Sequence, residues 1–228
     1  MALFDQEAST YDNWCNTPLG SFVDKVEKEL IAKSAQSQAG EKALDLGCGT
    51  GIFTIWLAKQ GLDVTGIDLS SEMLAKVQEK AQREDLAIHW IQADINRLPF
   101  DHETFDLVIG NIVLEFVENP EKVAAEALRV LKKGGRLVIG LINKESYWGR
   151  TYSQKGKDNP DSVFAHAHFY SEQTIVSWET RHFASLDYGL FVTPENFENE
   201  NQALELEKKL SRTAAKNQAG FIDARWNK

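Results

Sequence analysis

A chain of 228 residues, 43% of them hydrophobic, has enough apolar material for one α/β domain, or for one domain carrying a cap. Its 25 basic and 34 acidic residues leave a formal charge of −9, which repels phosphodiester backbones and anionic lipid, so neither nucleic acid nor a membrane is expected as a partner. With no apolar run near the roughly 18 residues that span a bilayer, no secretory pattern in "MALFDQEASTYDNW", and only Cys15 and Cys48 as cysteines, the expectation is a cytoplasmic monomer or homodimer without a disulfide framework or a metal site.

Thr17-Pro18 reads as an N-cap followed by proline at the first helical position, and Leu19, Phe22, Val23, Val26 and Leu30 make one apolar stripe down to about Ala35. "KALDL" is the first expected strand, and "TGIFTIWLAKQG" a helix ending at Gly61. "DVTGIDLS" is a strand followed by the helix "SEMLAKVQEKAQRE"; "AIHWIQAD" and part of "FDLVIGNIVLEF" are the third and fourth strands. "PEKVAAEALRVLKKGG" reads as a helix closed by its glycines, and "RLVIGLI" as a fifth strand. Strands alternating with helices predict right-handed βαβ units in a parallel sheet covered on both faces. After Asn143 the pattern breaks. "KESYWGRTYSQKGKDNPDSVFAHAH" shows no helical period and is expected to be a lid or substrate loop over 144–170. Ser171 caps a helix in "EQTIVSWETRHF"; "SLDYGLFVT" and "GFIDARW" suit an antiparallel pair, with the helix "ALELEKKLSRTAAK" between them.

"LDLGCGTGIF" places Gly47, Gly49 and Gly51 at alternate positions after the first strand. Ligands of open parallel sheets bind beyond the carboxyl ends of the strands, where this turn lies. A dinucleotide fingerprint wants glycine at its first, third and sixth positions, whereas here the sixth is Ile52 and the fifth is Gly51. With Asp45 just before it, the turn suits an uncharged nucleoside joined to a zwitterionic amino-acid tail better than a pyrophosphate; a dinucleotide stays open.

The motif "LDLGCGTG" resembles the first motif of the class I S-adenosylmethionine-dependent methyltransferases. Three more stretches resemble the family in order: "VTGIDLS" ending near Asp68, "QADINRLPF", and "FDLVIGNIVLEFV" with its continuation "LRVLKKGGRLVI". The resemblance runs from about Ala43 to Leu141 and is similar to the small-molecule, quinone-methyltransferase-like members. It implies a Rossmann-like, doubly wound α/β sheet, mostly parallel with a C-terminal antiparallel strand. The whole of 1–228 would form a single methyltransferase domain: a cap segment (1–38), a cofactor-binding core (42–143), the lid, and C-terminal helices and strands (171–228). It also implies S-adenosylmethionine as cofactor and S-adenosylhomocysteine as product. Asp68 would hold the ribose hydroxyls (or else cap the next helix), and Asp94 and Ile95 the adenine (or else Asp94 is a turn residue). Leu69 and Met73 would flank the ring, with Asp45, Gly47, Gly49, Gly51 and Asn111 along the rest of the cofactor. Tyr11 would close over the methionine end, or with Trp14 merely pack the first helix.

In-line methyl transfer needs alignment more than a fixed catalytic residue, and a base only where the acceptor holds a proton. The candidates for that task are Tyr11, Glu115, His166 and His168; for acceptor contact they are Trp14, Glu115, Trp148, Tyr152 and His168, with Arg150, Lys155 and Lys157 as a local basic patch. Each also reads as packing or as a solvated residue. The function expected is methyl transfer to a small-molecule acceptor. The alternatives are a non-catalytic S-adenosylmethionine-binding protein, a quinone or lipid C-methyltransferase, and a nicotinamide oxidoreductase.

Overall fold

The computed structural model describes residues 10–228, the first two by backbone alone. A short helix α1 (Thr10–Cys15) leads into α2 (Pro18–Ala35), whose Thr17 cap accepts from the Gly20 amide at 3.0 Å with Pro18 at the first helical position. There follow β1 (Lys42–Leu46), α3 (Ile52–Lys59), β2 (Asp63–Asp68), α4 (Ser71–Arg83), β3 (His89–Gln92), β4 (Phe105–Asn111), α5 (Pro120–Val130) and β5 (Leu131–Ile142). The chain continues as α6 (Tyr147–Asp158), α7 (Glu172–Ser177), β6 (Phe183–Gly189), α8 (Glu200–Thr213) and β7 (Phe221–Asn227).

The strands form one sheet of order β3-β2-β1-β4-β5-β7-β6. The first five are mutually parallel, and β7 runs antiparallel to both β5 and β6. This is the mostly parallel, doubly wound α/β sheet that the sequence implied. Strand order reverses between β1 and β4, so a crevice opens where their carboxyl ends part. Period-two alternation divides the core between the two faces: Leu107 and Ile109 of β4 pack with Phe22 and Val26 of α2 and Leu57 of α3, while Val108 packs with Val123 and Ala127 of α5.

Several boundaries differ from the sequence reading, among them the end of β6 at Gly189 and the span of α8, and three others. First, α5 stops at Val130 instead of running into the glycines. Leu131 already pairs with Phe105, and the ladder breaks between Phe105 and Leu107. The intervening bend needs glycine, because a Cβ on Gly135 would lie 2.9 Å from two backbone carbonyls. Second, 144–170 is not a loop throughout but carries the twelve-residue helix α6, capped by Ser146, whose Oγ accepts from the Gly149 amide at 2.9 Å. Its inward positions Trp148, Tyr152 and Gly156 recur every fourth residue, too few apolar residues to register as a period. Third, α7 ends at Ser177, well short of His182.

Candidate functional site

At the switch point the ends of β1, β2 and β4 open into a cavity of about 870 Å³ that reaches from Asp68 and Asp94 to Trp148, Tyr152 and Phe164. Of the residues expected at a cofactor, Asp45, Gly47, Gly49, Asp68, Leu69, Met73, Asp94, Ile95 and Asn111 line it. Of those expected at an acceptor, Trp14, Trp148 and Tyr152 do.

The three glycines separate by geometry. All have positive φ (64°, 51° and 85° in order), where a side chain strains the backbone. A Cβ on Gly47 would also meet Val113 Cγ2 at 2.3 Å, and one on Gly51 would meet Val77 Cγ2 at 2.0 Å. At Gly49 a Cβ would find nothing closer than the Gly47 carbonyl at 4.0 Å. Gly49 is therefore the open cradle. Gly51 does not line the cavity; it starts α3 in a left-handed conformation and lets α4 pack close.

Asp68 closes β2 with its Oδ2 accepting from the Gly49 amide and its Oδ1 from the Ser70 amide, both at 2.8 Å. The next helix is capped by Ser70, whose Oγ accepts from the Met73 amide at 3.1 Å, so capping does not need Asp68. The two acceptor oxygens of a carboxylate match the two hydroxyls of a vicinal diol. Leu69 is 61% exposed at the mouth of the cavity while Ile95 and Met73 are buried in its wall, an apolar slot for a flat ring. Asp94 holds its loop through Oδ1, which accepts from the backbone and side-chain nitrogens of Asn96, both at 2.8 Å. Beneath the turn, burial pushes the Asp45 carboxyl up to about 7 even though Thr54 donates to it.

A strap closes one side. Asp12 of α1 accepts from Thr50 Oγ1 at 2.7 Å and pairs with Lys80 of α4 at 2.7 Å; Lys80 also donates to the Thr50 carbonyl at 3.0 Å. These contacts tie α1 to the glycine turn and bring Trp14 and Cys15 to the cavity wall. Tyr11, expected to act here, has its side chain outside the described residues.

The far half is aromatic. Phe164 stacks on Tyr152 with centroids 4.3 Å apart, and Trp148 lies 5.9 Å from Tyr152. The backbone of Phe164 comes close because position 156 is glycine, where a Cβ would meet the Phe164 carbonyl at 2.3 Å. Of the expected basic patch only Lys155 lines the cavity, its Nζ 5.3 Å from the Phe164 ring centre. Two branched residues with left-handed backbone, Ile112 (φ 48°) and Leu190 (φ 60°), also line it, strain of the kind that gathers at functional sites.

Several expected positions lie elsewhere. Glu115 is fully buried off the cavity wall, where its Oε1 accepts from the Ile142 amide at 2.8 Å and its own carbonyl accepts from the His168 amide at 2.7 Å. It pins the chain after β4 to the end of β5. His166 and His168 are exposed and do not line the cavity. The sequence reading also missed Glu27, which lines the cavity from α2 and accepts from Asn111 Nδ2 at 2.8 Å. Its signal was a charged residue between Val23 and Ile31, four residues from each on the buried stripe.

A methyltransferase-domain family model matches residues 44–139, the strands and turns that build this crevice. An uncharacterized protein of Methanocaldococcus jannaschii is 36% identical over 176 residues, covering 77% of this chain and 78% of its own length. The chain belongs to the class I S-adenosylmethionine-dependent methyltransferases. Demethylmenaquinone methyltransferase of Clavibacter sepedonicus is 38% identical over 138 residues, 60% of this chain but only 56% of that enzyme. In fold, this methyltransferase matches a Thermotoga maritima structure described as an S-adenosylmethionine-dependent methyltransferase, possible histamine N-methyltransferase. That match has a TM-score of 0.75 at 20% identity and covers 99% and 97% of the two chains. S-adenosylmethionine is thus the methyl donor, and the residues present fit it: an open backbone at Gly49, the paired acceptor oxygens of Asp68 beside it, an apolar slot at Leu69, and a buried carboxyl at Asp45 for an ammonium group.

Proposed function

We propose that this methyltransferase acts on a small organic acceptor held between α6, α2 and the end of β4. The observation that carries the proposal is continuity: one cavity joins the cradle at Gly49 and Asp68 to the aromatic wall of Trp148, Tyr152 and Phe164. Asp68 would take the ribose, Asp94 and Ile95 the adenine edge, and Asp45 the ammonium. Bound there, the donor supplies an electrophilic methyl group that moves in line to the acceptor. The protein's own part is to hold the acceptor in line and keep water out, which the strap of α1 and the aromatic wall serve.

A quinone or other lipid acceptor is the second reading, supported by the name of the Clavibacter relative and by the apolar wall. No helix among the described residues is long and apolar enough to cross a membrane, so such a substrate would have to be drawn out of a bilayer. Labelled methyl transfer from S-adenosylmethionine across amines, phenols, thiols and quinols, with the wild type and Tyr152→Ala side by side, tests both readings. Turnover of a water-soluble acceptor, weakened by Tyr152→Ala, is the expected result. Turnover of quinols alone would favour the second reading, and donor binding without turnover of any class would overturn both.

A further inference from the structure

Glu27 is only 6% exposed, yet among the described residues no cation pairs with it: the adjacent Lys28 lies 2.8 Å from Asp24 instead. Its Oε2 accepts from Asn111, and its Oε1 has no hydrogen-bond partner among the described residues. Giving its amide nitrogen to Glu27 leaves Asn111 Oδ1 buried without a donor. Asn111 is the last residue of β4, directly before the strained Ile112, so this pair stands where the strand ends meet the cavity. Of the other groups lining the cavity, Trp148 Nε1 is committed to the Val192 carbonyl at 3.1 Å, and the Tyr152 hydroxyl bonds to neither oxygen.

The wall therefore offers one oxygen of a buried carboxylate, Glu27 Oε1, to whatever enters, while Asn111 Oδ1 is turned toward Gly140 out of reach. A carbonyl or ether would leave that oxygen unsatisfied, and a hydroxyl would satisfy it without offsetting its charge. An ammonium group does both. A cation would also offset the buried carboxylate and lie well against the flanking aromatic rings. We propose that Glu27, held in place by Asn111, binds the nitrogen of an amine acceptor and receives the proton the nitrogen must release. This rests on the methyl-transfer reading above. An N–H bond of the ammonium breaks as an O–H bond forms on Glu27; the freed nitrogen pair bonds to the methyl carbon, and the carbon–sulfur pair stays with sulfur. The net charge is +1 on both sides of that step, counting the carboxylate.

Burial pushes Glu27 up to about 8, with Asn111 opposing this and Asp24 and Glu115 adding to it; Lys28 opposes. Tyr152 of α6 and Cys15 of α1 face the same carboxylate. Amine affinity should accordingly rise as pH climbs toward that value and Glu27 ionises.

The test is calorimetry on protein saturated with S-adenosylhomocysteine, titrated with 2-phenylethylamine, 2-phenylethanol and 3-phenylpropionate. In the wild type the amine should bind about tenfold or more tighter than the alcohol, a charge-assisted contact's worth, and the anion weakest. Glu27→Gln should erase that preference while leaving affinity for S-adenosylhomocysteine within about twofold. Equal amine and alcohol binding in the wild type, or a preference that survives Glu27→Gln, overturns the inference. A variant that loses S-adenosylhomocysteine instead places Glu27 on the donor, which also overturns it but leaves methyl transfer standing; a wild type that binds no S-adenosylhomocysteine removes the reading beneath. Should Glu27→Gln not fold, wild-type titrations between pH 6.5 and 8.5 decide: amine affinity that does not rise relative to the alcohol contradicts the proposal.

Discussion

At Gly49 an added methyl group would project into the cavity without touching protein, whereas at Gly51 it would strike Val77. Gly49→Ala should therefore cost about 1 kcal/mol of stability through its positive φ but weaken S-adenosylhomocysteine binding about tenfold or more by steric exclusion. Gly51→Ala should do the reverse, costing about 2–4 kcal/mol of stability by overpacking and strain, with little loss of affinity in the molecules that fold. Calorimetry paired with thermal denaturation separates the two, and equal effects on both observables would contradict this division. Glu115→Ala removes the partner of a buried amide and should cost about 1–3 kcal/mol of stability without changing ligand affinity. The glycine turn was legible in the sequence because its spacing follows from the geometry of a strand-to-helix turn, and Asp68 and Asp94 were singled out because the stretches around them resemble the family's motifs. Glu115 and Glu27 were not. Both are single carboxylates next to apolar residues, and only the tertiary packing decides which of them faces the cavity.

Among the elements, α6 depends on its first turn, where Ser146 Oγ accepts from Gly149 and donates to the Asn143 carbonyl at 2.7 Å. Ser146→Ala should destabilise by about 1–2 kcal/mol and lower acceptor turnover more than donor affinity, since α6 carries Trp148 and Tyr152 but none of the donor's expected contacts. Asp12→Ala frees α1 from Thr50 and Lys80. Because these groups are partly exposed, the loss in stability should stay under about 1 kcal/mol; the faster release of S-adenosylhomocysteine, read by stopped-flow fluorescence of Trp14, is the informative signal. The alternating strands and helices up to β5 could be read from the sequence since each carries its own apolar period. By contrast, α6 hid its period behind one inward residue per turn, and the end of α5 was set by strand pairing with β4, a long-range contact that no local pattern announces.

For the molecule as a whole, burial drives five carboxyls of the described residues upward: Glu27 to about 8, Asp45, Glu115 and Asp223 each to about 7, and Glu207 in the same direction. A raised carboxyl binds its proton more tightly in the folded state, so its contribution is full below about pH 4 and drains away as pH rises through the folded value. Glu41 and Glu126 act oppositely: hydrogen bonds from Arg136 and Arg129 hold them low, and what they contribute is lost as pH falls through the folded value. Stability should peak on the mildly acidic side and fall by at least about 2 kcal/mol between pH 5.5 and 8. Denaturant midpoints across that range check it, and Glu27→Gln should flatten the decline.

The most direct test of the donor assignment is calorimetric titration with S-adenosylhomocysteine, S-adenosylmethionine and NAD, in the wild type and in Asp68→Ala. Both adenosyl ligands should bind and NAD should not, and the variant should lose about 1.5–3 kcal/mol of affinity with the ribose contact. Binding of NAD in place of the adenosyl ligands, or adenosyl binding indifferent to Asp68, would contradict the placement of the donor against Gly49 and Asp68.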